Sequence, residues 1–531
     1  MTEEYARFGP IPEAVDGLTV TPLVDAEAFE SVYRDLLQAR WRIYIATWSL
    51  EEKFVIHKDL GGELTLADLC KQALKEHPGL EIYVLVWDWD ELEVPALHGF
   101  QSIGSGQGLS PFTAAGTPGS GGFAEPDEQR RLHIAAEGNK WYGSHHQKFV
   151  VCDLTGEAGA QPTSSVHCLG LNFEDRCRDG IDHPFPNENA RGGWNWHDTG
   201  ARVVGPLVRA FEAEFIRRWK DATGEELPAN QFAAPPNGTA RGRPLIHVEQ
   251  TEEPSIIKRW YLEAIRGAQR YVYLENQFFD DADVAREMWR SYLAAERRGT
   301  KLPTALVLPW WNDLGIIVWP PWHVIGPWSR YNVTELRVRT ADEVKLRGRP
   351  EPIRRPSGGW PDVRVPPTPD EIAKLQATGD PGWLEMLAER PRRFAVLADG
   401  EWVEWKDVEW ARGGIGFYRL ISSTGGRDDR VYVHSKLAIV DDTFTVGSCN
   451  TSYQSFVTDS EANVAIEGAA EARAFGAKVW PPMVGLAEGA IGDRTAEQWL
   501  EHLDAVAWRN RAQLEAGAAT SGMVLPWEPF D

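Results

Sequence analysis

The sequence predicts an α/β fold of two duplicated α/β sandwich halves, mixed sheets flanked by helices, related by a pseudo-twofold axis. Two observations carry this expectation. The pattern H-x-K-x4-D occurs twice, at His146–Asp153 and at His434–Asp441, each time on an apolar, β-branched run. The parts around each copy also come in one order: helix, strand, helix, strand, motif strand, a strand running into Asn, and a strand carrying an acid. Repetition at so long a period is an internal duplication. Two copies of one fold packed about a twofold bring the two motif strands face to face.

Taken in order, Ala26 to Gln38 has apolar residues at helical spacing (Phe29, Val32, Leu36), and Trp41–Trp48 reads as a strand. Leu64–Lys75 is a second helix and Leu80–Asp88 a second strand. Gly99 to Gly122 is Gly- and Ser-rich and reads as a surface loop. The first motif strand follows, then strands through Val166–Asn172 and Thr199–Val204, and a helix over Leu207–Trp219. Leu227 to Pro244, rich in Pro, Gly and Asn, reads as the linker between a first half at 1–235 and a second at 236–531. The order then repeats: a helix over Pro254–Arg270, strands at Tyr271–Asn276 and Thr304–Pro309, the second motif strand, and strands at Phe444–Asn450 and Asp459–Ile466. A Trp- and Pro-rich insertion occupies about 311–430, preceded by Trp310. Its tryptophans read either as packing or as an interfacial patch. Thr495 to Glu515 reads as helix.

Each motif reads as one continuous buried strand. His and Lys, two apart, then share a face, and Asp153 and Asp441 have the opposite parity, suited to closing turns or pairing buried groups. The 531 residues carry a formal net charge of −23, which disfavours nucleic acid and anionic surfaces as partners. No apolar run is long enough to span a bilayer. The N-terminus lacks the pattern of a signal peptide, so the default address is the cytoplasm, with export by a signal-less route as the alternative. The five cysteines show no metal-ligand spacing and suggest reduced thiols.

Pairing the halves sets His146, Lys148 and Asn172 opposite His434, Lys436 and Asn450. Two ammonium groups and two amides form a donor cage for one phosphate. Two imidazoles on either side suit in-line displacement at phosphorus, one as nucleophile and one as acid. Each imidazole needs a partner for its other nitrogen, and Asp198 and Glu461 are the candidates. The lysines supply the positive charge that a metal often brings, so neither metal nor cofactor is called for. His145 and His197 read equally as local hydrogen-bonding groups or as direct participants. Glu275 and Asn276 either line the site or end a strand.

These residues resemble the phospholipase D superfamily, marked by the duplicated H-x-K-x4-D motif, and look most like its eukaryotic-type phospholipases. The resemblance rests on His145-His146-Gln147-Lys148, Trp196-His197-Asp198 with Gly205-Pro206, Tyr273 to Phe279, Tyr432 to Lys436, Gly447-Ser448-Cys449-Asn450 and Asp459-Ser460-Glu461. It implies a phospholipase D-like fold and metal-independent cleavage of phosphodiesters through a phosphohistidine, with phosphatidylcholine-like lipids at a membrane or micelle surface as substrate. It also implies possible transphosphatidylation. Ser448 supplies a hydroxyl to the phosphate in the second half, and Gly170-Leu171-Asn172 in the first half departs from that pattern. The competing functions are a phosphatidyltransferase or synthase, a nuclease-type phosphodiesterase, and a non-catalytic binding module.

Overall fold

In the computed structural model the residues described are 9–51, 54–59, 62–88, 130–138, 143–154, 162–187, 195–248, 255–279, 281–310, 415–424 and 429–527, with short strand segments inside the insertion. The loop expected at 99–122 and most of the insertion at 311–430, including Trp311, Trp322 and Trp328, lie outside the described residues.

The first pass of the chain runs β1 (Val15–Val24), α1 (Glu27–Gln38), β2 (Arg42–Thr47), α2 (Leu66–Glu76), β3 (Glu81–Asp88), β4 (Leu132–Gly138), β5 (Phe149–Leu154), β6 (Thr163–Leu169), β7 (Asn195–His197), β8 (Thr199–Val204) and α3 (Val208–Thr223). The second runs β9 (Ala240–His247), α4 (Ile256–Gly267), β10 (Val272–Asn276), α5 (Ala282–Arg297), β11 (Thr304–Val307), β12 (Ile415–Ile421), β13 (Arg430–Val433), β14 (Lys436–Val440), β15 (Thr443–Gly447), α6 (Tyr453–Val457), β16 (Glu461–Glu467) and α7 (Ala469–Met483). Helix α8 (Ala496–Glu515) and β17 (Val524–Pro526) follow, with β17 pairing β12.

The two passes make the same sheet. The first has the order β4-β3-β2-β5-β6-β8-β1, with β4, β3 and β2 mutually parallel and every later neighbour antiparallel. The second has β12-β11-β10-β14-β15-β16-β9, with parallel and antiparallel pairs at the same places. An antiparallel pairing of β1 with β9 and a parallel pairing of β7 with β13 join the two into one 17-stranded sheet. Duplication, inferred from the order of parts, is therefore visible as strand order and direction.

The layers follow from which faces are apolar. Phe29, Val32 and Leu36 of α1 recur every three to four residues and bury against the outer face of the first half, with Ile43 and Ile45 of β2. Ile257, Trp260, Tyr261 and Ile265 of α4 do the same for the second half, and Ser255 caps that helix by accepting from the Ile257 N–H. The inner faces share one core in which Val166, Cys168 and Val203 meet Val446, Ala462 and Val464. All five cysteines are buried and unpaired. Among the described residues no helix is long and apolar enough to cross a membrane.

Two expectations are corrected. Neither motif is one continuous strand: β13 ends at Val433 and β14 begins at Lys436, and β5 begins at Phe149, after His146 and Lys148. The chain changes partners at the histidine, since β13 pairs β7 and β12 whereas β14 pairs β10 and β15. Apolar periodicity cannot register such an exchange. The expected linker also contributes structure: Ala240–Pro244 opens β9, which Glu467 ties to its neighbour β16 through ion pairs with Arg241 and Arg243. Trp310 is core, 3% exposed, with the Arg419 guanidinium 3.5 Å above its ring.

The motif aspartates sit at the strand ends remote from the histidines and do one job. Asp153 accepts from the backbone N–H groups of Arg40, Trp41 and Arg42 at 3.0–3.2 Å, and Asp441 from those of Gln269, Arg270 and Tyr271 at 2.9–3.0 Å. Each ties the turn after its half's first helix to the motif strand. Asp441, at φ 51°, also makes the tight turn into β15, a conformation that Asp tolerates better than most side chains. Asp153→Ala strands three N–H groups and is expected to lower the free energy of unfolding by roughly 2–3 kcal/mol. Urea denaturation checks this, and Asp153→Asn, which keeps an acceptor, should lose less.

Candidate active site

The site forms where the chain changes partners. The His146 N–H donates to the Ser460 carbonyl at 3.0 Å, and the His434 N–H to the His197 carbonyl at 2.8 Å. Each motif histidine is thus bonded to the residue just before the acid on the opposite half. The side chains repeat the crossing: His146 Nδ1 lies 2.8 Å from Glu461 Oε1, and His434 Nδ1 lies 2.6 Å from Asp198 Oδ2. Both carboxylates are wholly buried. With Nδ1 committed, Nε2 is the nitrogen left for chemistry on each ring.

The two motifs act on one another. Burial pushes the His146 imidazole down to about 4, Glu461 pulls it up, and both lysines, Lys148 and Lys436, add to the depression. Burial takes His434 down to about 3, with Lys436 and Lys148 again contributing and Asp198 opposing. Burial lowers Lys148 to about 8, and burial with the Lys148 charge lowers Lys436 to about 7, while Glu461 and Asp198 oppose both shifts. Glu461 and Asp198 are held below the ordinary carboxylate range: the histidines and lysines outweigh the burial that raises them. The site before substrate binding therefore holds two neutral imidazoles, two ionised carboxylates and two lysines whose charge is lost near neutrality.

Lys148 Nζ donates to the His146 carbonyl at 2.9 Å; Lys436 Nζ bonds the His434 carbonyl and approaches Gln277 Oε1 at 3.1 Å and His434 Nδ1 at 2.9 Å. Asn172 and Asn450 each have a buried side-chain oxygen without a partner. The same feature in both halves marks a place where a flipped amide presents its NH₂ to an acceptor.

Ser448 is held by the acid of its own half. Its hydroxyl donates to Glu461 Oε2 at 2.5 Å, behind the carboxylate that orients His146. Counting back from the two asparagines, Gly170 occupies the equivalent place. A Cβ there would lie 2.0 Å from Asp198 Oδ1, and that oxygen instead accepts from the Thr199 N–H at 2.8 Å. Glu with Ser in one half and Asp with Gly in the other fill the same space.

The remaining candidates resolve by contact. His145 bonds Ser460 Oγ and Glu137, both at 3.3 Å, and is 2% exposed. Glu275 is fully buried between the Tyr273 hydroxyl at 2.6 Å and His197 Nε2 at 3.1 Å, so it does more than end a strand. Asn276 Oδ1 accepts from the N–H groups of Phe278 and Thr451, holding a loop. Sequence reasoning assigned no part to Gln277, which bridges Lys436 and the Tyr432 hydroxyl, or to Trp48, whose ring lies 6.1 Å from His146. It also missed Asp459, a buried carboxyl that burial and the Glu461 charge raise to about 7. His146, Asp459 and Glu461 could converge on a cation, but the 2.8 Å contact is a good hydrogen bond and reads as one.

No protein-family model matches the chain. Over 538 residues it is 21% identical to phospholipase D alpha 1 of Brassica oleracea var. capitata, covering 83% of this chain and 60% of that protein. It is 24% identical over 536 residues to phospholipase D alpha 1 of Ricinus communis, covering 82% and 59%. These alignments run through both halves, and the two H-x-K-x4-D motifs meet in one crossed pair of imidazoles and carboxylates. The chain is similar to phospholipases D through both halves. It spans about three fifths of the length of these curated relatives. Among solved structures, the phosphatidylserine synthase of Haemophilus influenzae Rd KW20 aligns at a TM-score of 0.45 and 12% identity, over 85% of this chain and 83% of that one.

Gly170 is as constrained as the charged residues. Gly170→Ala is expected to push Asp198 off His434, at a cost of about 1–3 kcal/mol in stability. The change at His434 should appear in its ¹⁵N imidazole shifts, while those of His146 stay in place.

Proposed function

We propose that this protein is a phospholipase D-type phosphodiesterase that hydrolyses phosphatidylcholine-like phospholipids to phosphatidic acid and a free head group. The observation that carries the reading is the crossing: each motif histidine is oriented by a buried carboxylate of the opposite half, so neither half has a complete site. The curated relatives, named phospholipase D alpha, supply the substrate class.

His146 Nε2 attacks phosphorus in line, forming a P–N bond as the P–O bond to the head group breaks. His434 Nε2 gives its proton to the departing alkoxide oxygen. In the second step His434, now neutral, takes a proton from water, the oxygen bonds phosphorus, and the P–N bond breaks to release phosphatidic acid. Glu461 and Asp198 hold the Nδ1–H tautomers and offset the cation that forms on each ring. Lys148 and Lys436 are the charges nearest the phosphate, with the amides of Asn172 and Asn450 beside them. The depressed pKa of His434 belongs to the site without substrate. A phosphodiester anion between the rings opposes the lysine charges and raises it, so substrate brings the acid into its protonated state.

His146→Ala and His434→Ala are each expected to lower kcat for phosphatidylcholine in mixed micelles by at least about 10³-fold, since the two rings act as one unit. A variant retaining half the rate would show two independent sites. In wild type a small primary alcohol should divert product to the phosphatidyl alcohol. Mass spectrometry of quenched enzyme should place the phosphoryl group on His146; an adduct on His434 reverses the two roles.

The rate should also report the lysines. A cation with a lowered pKa is charged below that value and neutral above it. On a soluble short-chain substrate kcat/KM, which follows the groups of the free enzyme, should therefore decline as pH rises above about 4, because His434 must gain the proton it gives away, and should fall more steeply through 7–8, where Lys436 and then Lys148 lose theirs. Lys436→Arg, which stays charged, should move the alkaline limb upward.

A further inference from the structure

Directly behind the Asp198–His434 pair lies a second polar cluster that the chemistry does not use. Asp25 follows β1, His183 lies in the segment between β6 and β7, and His197 ends β7; all three are at most 3% exposed. Asp25 lies 3.7 Å from His183 Nε2 and 3.2 and 3.4 Å from His197 Nδ1. The rings are nearly perpendicular, with centroids 5.3 Å apart.

These distances are poor for charged hydrogen bonds, which run at about 2.7–2.9 Å. They are close to the edges of a tetrahedron of nitrogen and oxygen ligands at about 2.0–2.1 Å from a zinc ion, roughly 3.3 Å. The outward nitrogens support the same reading. His183 Nδ1 bonds Asp179 Oδ2 at 2.9 Å, and His197 Nε2 bonds Glu275 Oε2 at 3.1 Å, with Glu275 itself held by Tyr273 at 2.6 Å. Each imidazole is thus oriented from behind by a carboxylate while its other nitrogen faces a third, which is how metal-ligating histidines are normally supported. His183 adopts φ 42°, an uncommon conformation for a non-glycine residue, and its ring is 1% exposed.

We propose that Asp25, His183 and His197 form a structural site for a transition-metal dication of the zinc type. Two imidazoles and one carboxylate suit zinc better than calcium or magnesium, which take oxygen ligands. The ion offsets the negative excess of three buried carboxylates, Asp25, Asp179 and Glu275. Its consequence for the active site runs through the backbone. Asp25 Oδ1 accepts from the Asp198 N–H at 2.8 Å, and the His197 carbonyl accepts from the His434 N–H at 2.8 Å. The metal fixes the two residues on which the acid and its partner carboxylate hang. It touches neither phosphate nor the reacting atoms, and the inference does not depend on the proposed activity.

The test uses the full chain, stripped with dipicolinate and reloaded with Zn²⁺. Native mass spectrometry should show one ion per chain, and X-ray absorption should show two imidazoles and no sulfur at about 2.0 Å. His183→Gln should lose the ion, and Asp459→Asn, which alters the carboxylate pair beside His146, should keep it. Stripping should lower the Tm of wild type and leave that of His183→Gln unchanged. The proposal fails if the reloaded wild type binds no Zn²⁺, if the absorption spectrum contains one imidazole or none, or if His183→Gln binds as wild type does. His197 is then a buried imidazolium, the form its carboxylate neighbours favour over burial. The absorption measurement needs only wild type, so a variant that does not fold does not spoil the test.

Discussion

Two buried hydrogen bonds, His146 to Glu461 and His434 to Asp198, cross between the halves and set the terms for the rest of the structure. Each joins an imidazole to a carboxylate removed from water, an arrangement that survives only when the geometry is good and the remaining lone pairs are satisfied. The satisfaction is on hand. Ser448 donates to Glu461, and the Thr199 N–H donates to Asp198. Neither half carries its own histidine's partner, so the duplicated units are obliged to dock with one registry, and the β1–β9 and β7–β13 pairings hold it.

The halves are near copies with unequal surroundings at the site. On the His146 side the partner is Glu461, the supporting donor a serine hydroxyl, and the neighbouring acid Asp459. On the His434 side the partner is Asp198, no hydroxyl side chain fits at Gly170, and the neighbouring ring is Trp196, 4.7 Å away between centroids. Lys148 lies 6.0 Å over the Trp48 ring, whereas Lys436 bonds Gln277. A symmetric fold thus supplies two imidazoles with different environments.

Charge organises the site at a second level. Four basic side chains and two acids share a volume that excludes water, so no pKa in it belongs to one residue alone. Burial, with the lysine charges added, holds the histidines neutral, and burial lowers the lysines against the pull of the two carboxylates. In the proposed reaction an arriving phosphodiester adds one negative charge to this set. Its effect is largest where water is least available to screen it.

Much of this could be read from the chain alone, because duplication and apolar periodicity are local properties. The helices at Ala26–Gln38 and Pro254–Arg270, the central strands, and His146, Lys148, His434 and Lys436 all declare themselves by spacing. Asp198 and Glu461 were legible as imidazole partners, but which acid serves which ring was not, since that depends on how two distant halves dock. Strand β9 was hidden because Arg, Gly and Pro give no alternation, and it exists through its pairing with β16. The break at His434–Ser435 was hidden because it records a change of neighbours. The place of Ser448 behind Glu461, the clash that keeps residue 170 a glycine, and the meeting of Asp25, His183 and His197 all join positions far apart in the chain. Sequence determined which chemical groups the protein has and which elements carry them. Tertiary structure alone decided which groups meet, because hydrogen bonds and buried charges are settled by distances in space.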